Sequence, residues 1–119
     1  MKIYPIFIIL FTLLASCSLI YDIADKQDVQ KKIEAGALII DVRTPKEYAA
    51  AHYKGAVNIP LAELPHRLAE ISGKDRPIVV YCRTGNRSNR ARKFLLNQGY
   101  SGVINGGGLE DMLKISITP

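Results

Sequence analysis

The chain has 119 residues, 48% of them hydrophobic, and carries a formal net charge of +5 at pH 7. This length predicts one domain with a modest core, and neither an internal repeat nor a low-complexity segment indicates a second. A basic chain can bind nucleic acid, but the densest positive cluster, between Arg83 and Lys93, adjoins a cysteine and favours small anions as partners instead.

The first predicted element is a secretory signal. Residues 3–15 form an uncharged apolar run, which is shorter than the roughly 20 residues that a membrane-spanning helix needs. Residues 14–17 (Leu-Ala-Ser-Cys) resemble a bacterial lipobox, whose cysteine carries two acyl chains and becomes the mature N-terminus. We therefore predict a signal peptide over 1–17, lipidation at Cys17 and a periplasmic, membrane-anchored protein. The alternative is an ordinary signal peptide cut near residues 15–18, which would release a soluble periplasmic protein.

Residues 18–24 are predicted to be a tether, with Tyr21 and Ile23 packing against a domain that spans 25–119. A helix is expected from an Asp25 N-cap to Gly36, followed by a parallel strand over residues 37–40 that ends at Asp41. Residues 44–47 (Thr-Pro-Lys-Glu) predict a capping box that starts a short helix.

The second half continues the alternation of strands and helices. Strands are predicted over residues 57–59, 78–82 and 103–104, and helices over 64–71 and 88–98, with Gly99 closing the last. Three glycines, residues 106–108, are expected to form a close-packed turn beside the active-site pocket. This order predicts an α/β domain with a small parallel sheet covered by helices on both faces.

Cys82 stands at the carboxyl end of the central predicted strand, where ligands bind in open α/β sheets. The residues that follow, Arg83 to Ser88, read as a short loop entering a helix. Inward-pointing N–H groups, a helix N-terminus and the charges of Arg83 and Arg87 would all favour the thiolate of Cys82 over its thiol. The loop therefore predicts a nucleophile in an anion-binding cup.

Four motifs in this order resemble the rhodanese (sulfurtransferase) family over about residues 25–113. They are Asp-Val-Arg-Thr-Pro-Lys-Glu-Tyr at 41–48, His-Tyr-Lys-Gly-Ala-Val-Asn-Ile-Pro at 52–60, Cys-Arg-Thr-Gly-Asn-Arg-Ser at 82–88, and Gly-Tyr with Val-Ile-Asn-Gly-Gly-Gly-Leu at 99–109. The resemblance implies a three-layer α/β/α rhodanese-like fold. It also implies a sulfurtransferase that carries sulfane sulfur as a persulfide on Cys82.

The active-site loop implied by the resemblance comprises Cys82 and the residues Arg83, Thr84, Gly85, Asn86, Arg87 and Ser88. Arg87, and after it Arg83, would hold an anionic donor such as thiosulfate, and the acceptor would be cyanide or a thiol. Arg43 is expected near the pocket, paired with a carboxylate, and the family's equivalent of His52 is structural. We expect a monomer with no cofactor and no metal, since the two histidines lack a carboxylate pair at metal-ligand spacing.

Three alternatives use the same residues. A cysteine phosphatase needs Cys-x5-Arg, whereas Arg87 follows Cys82 after four residues and Ser88 holds the phosphatase position. A non-catalytic sulfur carrier or anion-binding module would keep the same loop, so the sequence leaves that alternative open. Thiol-disulfide oxidoreduction would need a Cys-x-x-Cys pair, which the chain lacks.

Overall fold

A parallel β-sheet lies at the centre of the domain in the computed structural model, which describes residues 20–116. The predicted signal peptide and Cys17 lie outside these residues. The strands are β1 (Leu38–Asp41), β2 (Val57–Asn58), β3 (Ile78–Cys82) and β4 (Val103–Gly108). They are parallel and lie in the order β2-β1-β3-β4.

Helices cover both faces of the sheet, so the predicted three-layer α/β/α fold is confirmed. They are α1 (Lys26–Glu34), α2 (Pro45–Ala50), α3 (Asn86–Asn97) and α4 (Leu109–Leu113), with two 3-10 turns at Leu64–His66 and Leu68–Glu70. Among residues 20–116, no helix has the length and hydrophobicity that a membrane span requires.

Alternate residues of β3 point into two separate cores, because successive side chains of a strand face opposite ways. Ile78, Val80 and Cys82 join the core that contains Ala91 and Leu95 of α3. Val79 and Tyr81 join the second core, which contains Val29 of α1 and Met112 of α4. Every residue of β3 is buried, as expected for a continuous apolar run in a parallel sheet.

Several local signals are confirmed. The hydroxyl of Thr44 accepts a hydrogen bond from the Glu47 N–H, and the Glu47 carboxylate accepts one from the Thr44 N–H, which completes the capping box of α2. Gly36 and Gly99 follow α1 and α3 with φ values of +87° and +93°, a conformation that glycine adopts without steric cost. Asp25 does precede α1, but its side chain makes no capping hydrogen bond.

Three predicted elements differ from the structure. The single helix over residues 64–71 is wrong: only a 3-10 turn begins at Leu64, and Arg67, with a φ of −121°, separates it from the next one. The helix after Cys82 begins at Asn86 rather than Ser88. Residues 106–108 continue β4 through a register shift rather than a turn: pairing passes from Val80–Asn105 to Cys82–Gly108, and Gly107 between them has a φ of +87°.

Candidate active site

The sulfur of Cys82 lies at the carboxyl end of β3, enclosed by the loop that follows. The residue is only 1% exposed. The N–H of Gly85 donates a hydrogen bond to Sγ at 3.1 Å, and the hydroxyl of Ser88 lies 3.3 Å from the same atom. Gly85 turns the chain toward the sulfur with a φ of +106°. The cup predicted around Cys82 is therefore present as a set of hydrogen-bond donors.

These donors favour the thiolate. Burial raises the pKa of Cys82, but hydrogen bonds from the Ser88 hydroxyl and from the backbone N–H groups of Ser88, Thr84 and Gly85 outweigh burial and lower the pKa below its ordinary value. A thiolate, rather than a thiol, is the nucleophilic form. The loop therefore favours the nucleophilic form of Cys82.

The remaining loop residues divide into exposed and buried positions. Arg83, Thr84 and Asn86 are exposed, whereas Gly85 and Ser88 are buried. Because α3 begins at Asn86, Arg87 and Ser88 occupy its first turn rather than the loop. Arg83 forms no ion pair among residues 20–116.

Arg87 is bound by the carboxylate of Glu47, which the sequence predicts only as a helix-capping group. Its Nη1 and Nη2 donate to the two carboxylate oxygens of Glu47 at 2.7 and 2.9 Å. The pKa of Arg87 is raised first by these hydrogen bonds and to a smaller extent by the negative charge of Cys82. The guanidinium therefore lies within electrostatic range of the sulfur and is oriented by α2.

The Glu47–Arg87 pair predicts an acid-sensitive contribution to stability. Hydrogen bonding to Arg87 lowers the pKa of Glu47 from 4.5 to about 2. The contribution is complete above the unfolded-state pKa and is lost as pH falls toward the folded-state value. In urea unfolding at pH 5, 4, 3 and 2, we expect the stability advantage of the wild type over Glu47→Gln, which keeps a capping oxygen, to shrink as pH falls. An advantage that stays constant across this range would contradict the assignment.

Arg43 is buried beside Asp41, as expected. Its Nη2 lies 2.6 Å from Asp41 Oδ2, and its backbone N–H donates to Asp41 Oδ1 at 2.9 Å. The hydroxyl of Tyr81 donates to the same carboxylate at 2.8 Å. A fully buried carboxylate is thus held by a cation and two further donors at the end of β1.

A cavity of about 570 Å³ opens beside the first turns of α3. Its polar wall includes Arg43, Arg87 and Arg90, and its apolar wall includes Leu61 and Phe94. Cys82 is not among the lining residues. Arg87 therefore lines the cavity and also interacts electrostatically with the Cys82 sulfur.

Asn105 belongs to the site, although no role was predicted for it. It is fully buried in β4. Its Oδ1 lies 2.7 Å from the Ser88 hydroxyl, whose single hydrogen can point either to this oxygen or to the Cys82 sulfur at 3.3 Å. The same Oδ1 accepts from the Gly107 N–H at 2.9 Å, and Nδ2 donates to the Gly85 carbonyl at 3.0 Å. An amide within an otherwise apolar strand, next to three glycines, was the available signal. Asn105 links β4 to the loop around the sulfur.

Glycine is required where β4 passes the loop. A Cβ on Gly108 would collide with the carbonyl oxygen of Arg83, and a Cβ on Gly106 would lie 2.6 Å from the sulfur of Met112. The close packing predicted for these glycines is therefore present, although in a strand. His52, by contrast, contacts the preceding helix α2: its Nδ1 lies 2.8 Å from the Tyr48 carbonyl, and the rings of His52 and Tyr48 stack.

Comparison with known proteins identifies the family. The Rhodanese-like domain family matches residues 25–113. The chain belongs to the rhodanese-like family. It is 43% identical over 74 residues to the thiosulfate sulfurtransferase PspE of Escherichia coli, covering 61% of this chain and 71% of PspE. It is also 41% identical over 88 residues to a sulfurtransferase of Allochromatium vinosum, covering 74% of each.

A solved rhodanese structure supports the same assignment. The structure described as a rhodanese with anions from E. coli is 40% identical, with a TM-score of 0.61, and the match covers 69% of this chain and 94% of that one. These rhodanese relatives support sulfurtransferase activity in general. They confirm the predicted family and fold.

Proposed function

We propose that this protein moves sulfane sulfur from thiosulfate, or a similar donor, to a thiophilic acceptor through a persulfide on Cys82. The thiolate attacks the outer sulfur of thiosulfate, so that a new S–S bond forms while the bond to the sulfonate sulfur breaks. Sulfite leaves with that electron pair, and Cys82 holds a persulfide anion. Cyanide or a thiolate then attacks the outer sulfur and releases the Cys82 thiolate.

One observation carries this proposal: the Cys82 sulfur faces the donors that a charged sulfur requires. The Gly85 N–H and the Ser88 hydroxyl lie 3.1 and 3.3 Å from it. Donors already aimed at the atom that gains charge stabilise it without reorganisation. The Cys82 thiolate benefits directly, because its negative charge lies on this sulfur.

Donor binding is proposed to involve the loop arginines. Glu47 engages one N–H on each terminal nitrogen of Arg87, which leaves other donors of the guanidinium for an anion. Arg83 and Arg90 add exposed positive charges nearby on the chain. The solved relative described as holding anions supports an anionic donor for this protein.

We also propose that the protein is exported and anchored to a membrane. The apolar run over residues 3–15 and the Leu-Ala-Ser-Cys sequence at 14–17 support secretion and lipidation at Cys17. A diacylated cysteine supplies two chains, and two membrane signals give stable anchoring. The catalytic domain would then work on the periplasmic face of a bacterial membrane.

Initial-rate kinetics test the two-step mechanism. Thiosulfate and cyanide are varied together, and thiocyanate is measured. A persulfide mechanism releases sulfite before cyanide reacts, so double-reciprocal plots should give parallel lines. Intersecting lines would overturn the proposed order of steps. A persulfide that forms but does not transfer sulfur to cyanide or small thiols would favour the carrier alternative.

A further inference from the structure

The segment of residues 21–24 packs against the sheet directly behind the candidate active site. Ile23 forms a parallel bridge with Asn105, and the Ala24 N–H donates to the Asn105 carbonyl at 2.8 Å. The segment thus adds one more pairing beside β4. The family match begins at residue 25, so Ile23 and Ala24 lie outside the matched residues.

The Ile23 side chain fills space left by two glycines. A Cβ on Gly85 would lie 2.8 Å from Ile23 Cδ1, and a Cβ on Gly107 would lie 3.2 Å from Ile23 Cγ2. Ile23 therefore packs against Gly85, the residue whose N–H donates to the Cys82 sulfur.

Ser88, the second group near the sulfur, is linked to residues 21–24 through Asn105. Asn105 Nδ2 donates to the carbonyls of Tyr21, at 2.7 Å, and Gly85, at 3.0 Å. These two bonds fix the orientation of the amide, so that Oδ1 faces the Ser88 hydroxyl at 2.7 Å. Both groups that approach the sulfur are thus held from the side on which residues 21–24 lie.

We propose that residues 21–24 position the sulfur site, with Ile23 as the positioning residue. Ile23 acts through Gly85, while the Tyr21 carbonyl acts through Asn105 and Ser88. The inference rests on Cys82 being the reactive sulfur of the proposed function. Loosening the segment lets the two donors move away from the sulfur, which weakens the hydrogen bonds that favour the thiolate. The segment next to the predicted membrane anchor is then part of the active site's support.

Alkylation of Cys82 tests this role in the full chain without any sulfur donor. Iodoacetamide modification is followed between pH 5 and 10 on the tryptic peptide 75–83, which contains Cys82 but not Cys17. Ile23→Ala is expected to slow alkylation about fivefold below pH 7 and to leave the alkaline rate unchanged, because only the thiolate reacts. Ile23→Val, which still contacts Gly85, should stay within about twofold of wild type.

Ile20→Ala is the matched control. It makes the same chemical change just outside residues 21–24, at a side chain that is 61% exposed, so its profile should coincide with wild type. Arg87, which interacts electrostatically with Cys82, and the carboxylates of Glu47 and Asp41 that act on Arg87 are unchanged in all three variants.

Two results would overturn the inference: an Ile23→Ala profile identical to wild type, or equal slowing at every pH, which indicates a general structural effect. A shifted profile without sulfur transfer in the wild type would retain this inference and reject the proposed function. Sulfur transfer by the wild type together with an unshifted Ile23→Ala profile would retain the proposed function and reject this inference.

Discussion

Replacing Cys82 with serine is expected to lower sulfur-transfer turnover by at least about a thousandfold, the scale on which loss of a covalent nucleophile acts. Serine keeps an oxygen near the Gly85 N–H, which now meets the sulfur at 3.1 Å. A hydroxyl is far less acidic than the Cys82 thiol, whose pKa the loop lowers. It also cannot form the persulfide that the mechanism needs. Thiocyanate release from thiosulfate and cyanide measures the loss.

The matched control is Cys17→Ser, the same chemical change at the other cysteine of the chain. Cys17 belongs to the predicted signal segment, so turnover of the purified protein should equal that of the wild type. Unfolding curves of both variants show whether the domain remains folded. Substantial turnover in a folded Cys82→Ser protein would contradict a covalent role for Cys82.

Replacing Arg43 with methionine is expected to destabilise the fold by about 3–5 kcal/mol, the cost of leaving a buried charge without its partner. The side chains of Arg43 and Asp41 are 6% and 0% exposed. Methionine keeps an unbranched apolar side chain but removes the cation from Asp41. It also removes the hydrogen bond from Arg43 to the Ala51 carbonyl. Chemical denaturation at pH 7 measures the change in unfolding free energy.

Arg67→Met provides the comparison for Arg43→Met. Arg67 pairs with Glu70 at 2.6 Å, but the two side chains are 31% and 52% exposed. Exposed pairs contribute about 0–1 kcal/mol, so this variant should remain close to wild type. Equal, small losses in the two variants would show that burial of Asp41 does not make its ion pair structurally necessary.

Short-range signals in the sequence were sufficient to predict most of the strands and helix caps. The capping box of Thr44 and Glu47 lies within one helical turn, and the apolar run that ends at Cys82 predicts a buried strand with the thiol at its end. The predicted helix over residues 64–71 was wrong because the backbone leaves helical geometry at Arg67, where φ is −121°, and the apolar spacing does not show this break. Local chemistry thus predicted strands and caps better than helix continuity.

Contacts between distant residues account for what the sequence could not predict. Glu47 binds Arg87 across 40 positions, and Asn105 binds the carbonyl of Tyr21 across 84. Neither contact leaves a spacing pattern in the chain, since each depends on how β4, α2 and α3 pack around the sulfur. The predicted charge cluster also changes in the fold, because Arg87 and Arg92 are paired with Glu47 and Asp22.

The most direct test of the central claim is the intact mass of reduced residues 18–119, measured before thiosulfate, after it, and again after cyanide. All described secondary structure from α1 onward lies within this fragment. The account predicts a gain of about one sulfur atom that cyanide removes and that Cys82→Ser does not show. A folded protein with a titratable Cys82 that gains no sulfur from thiosulfate would contradict it.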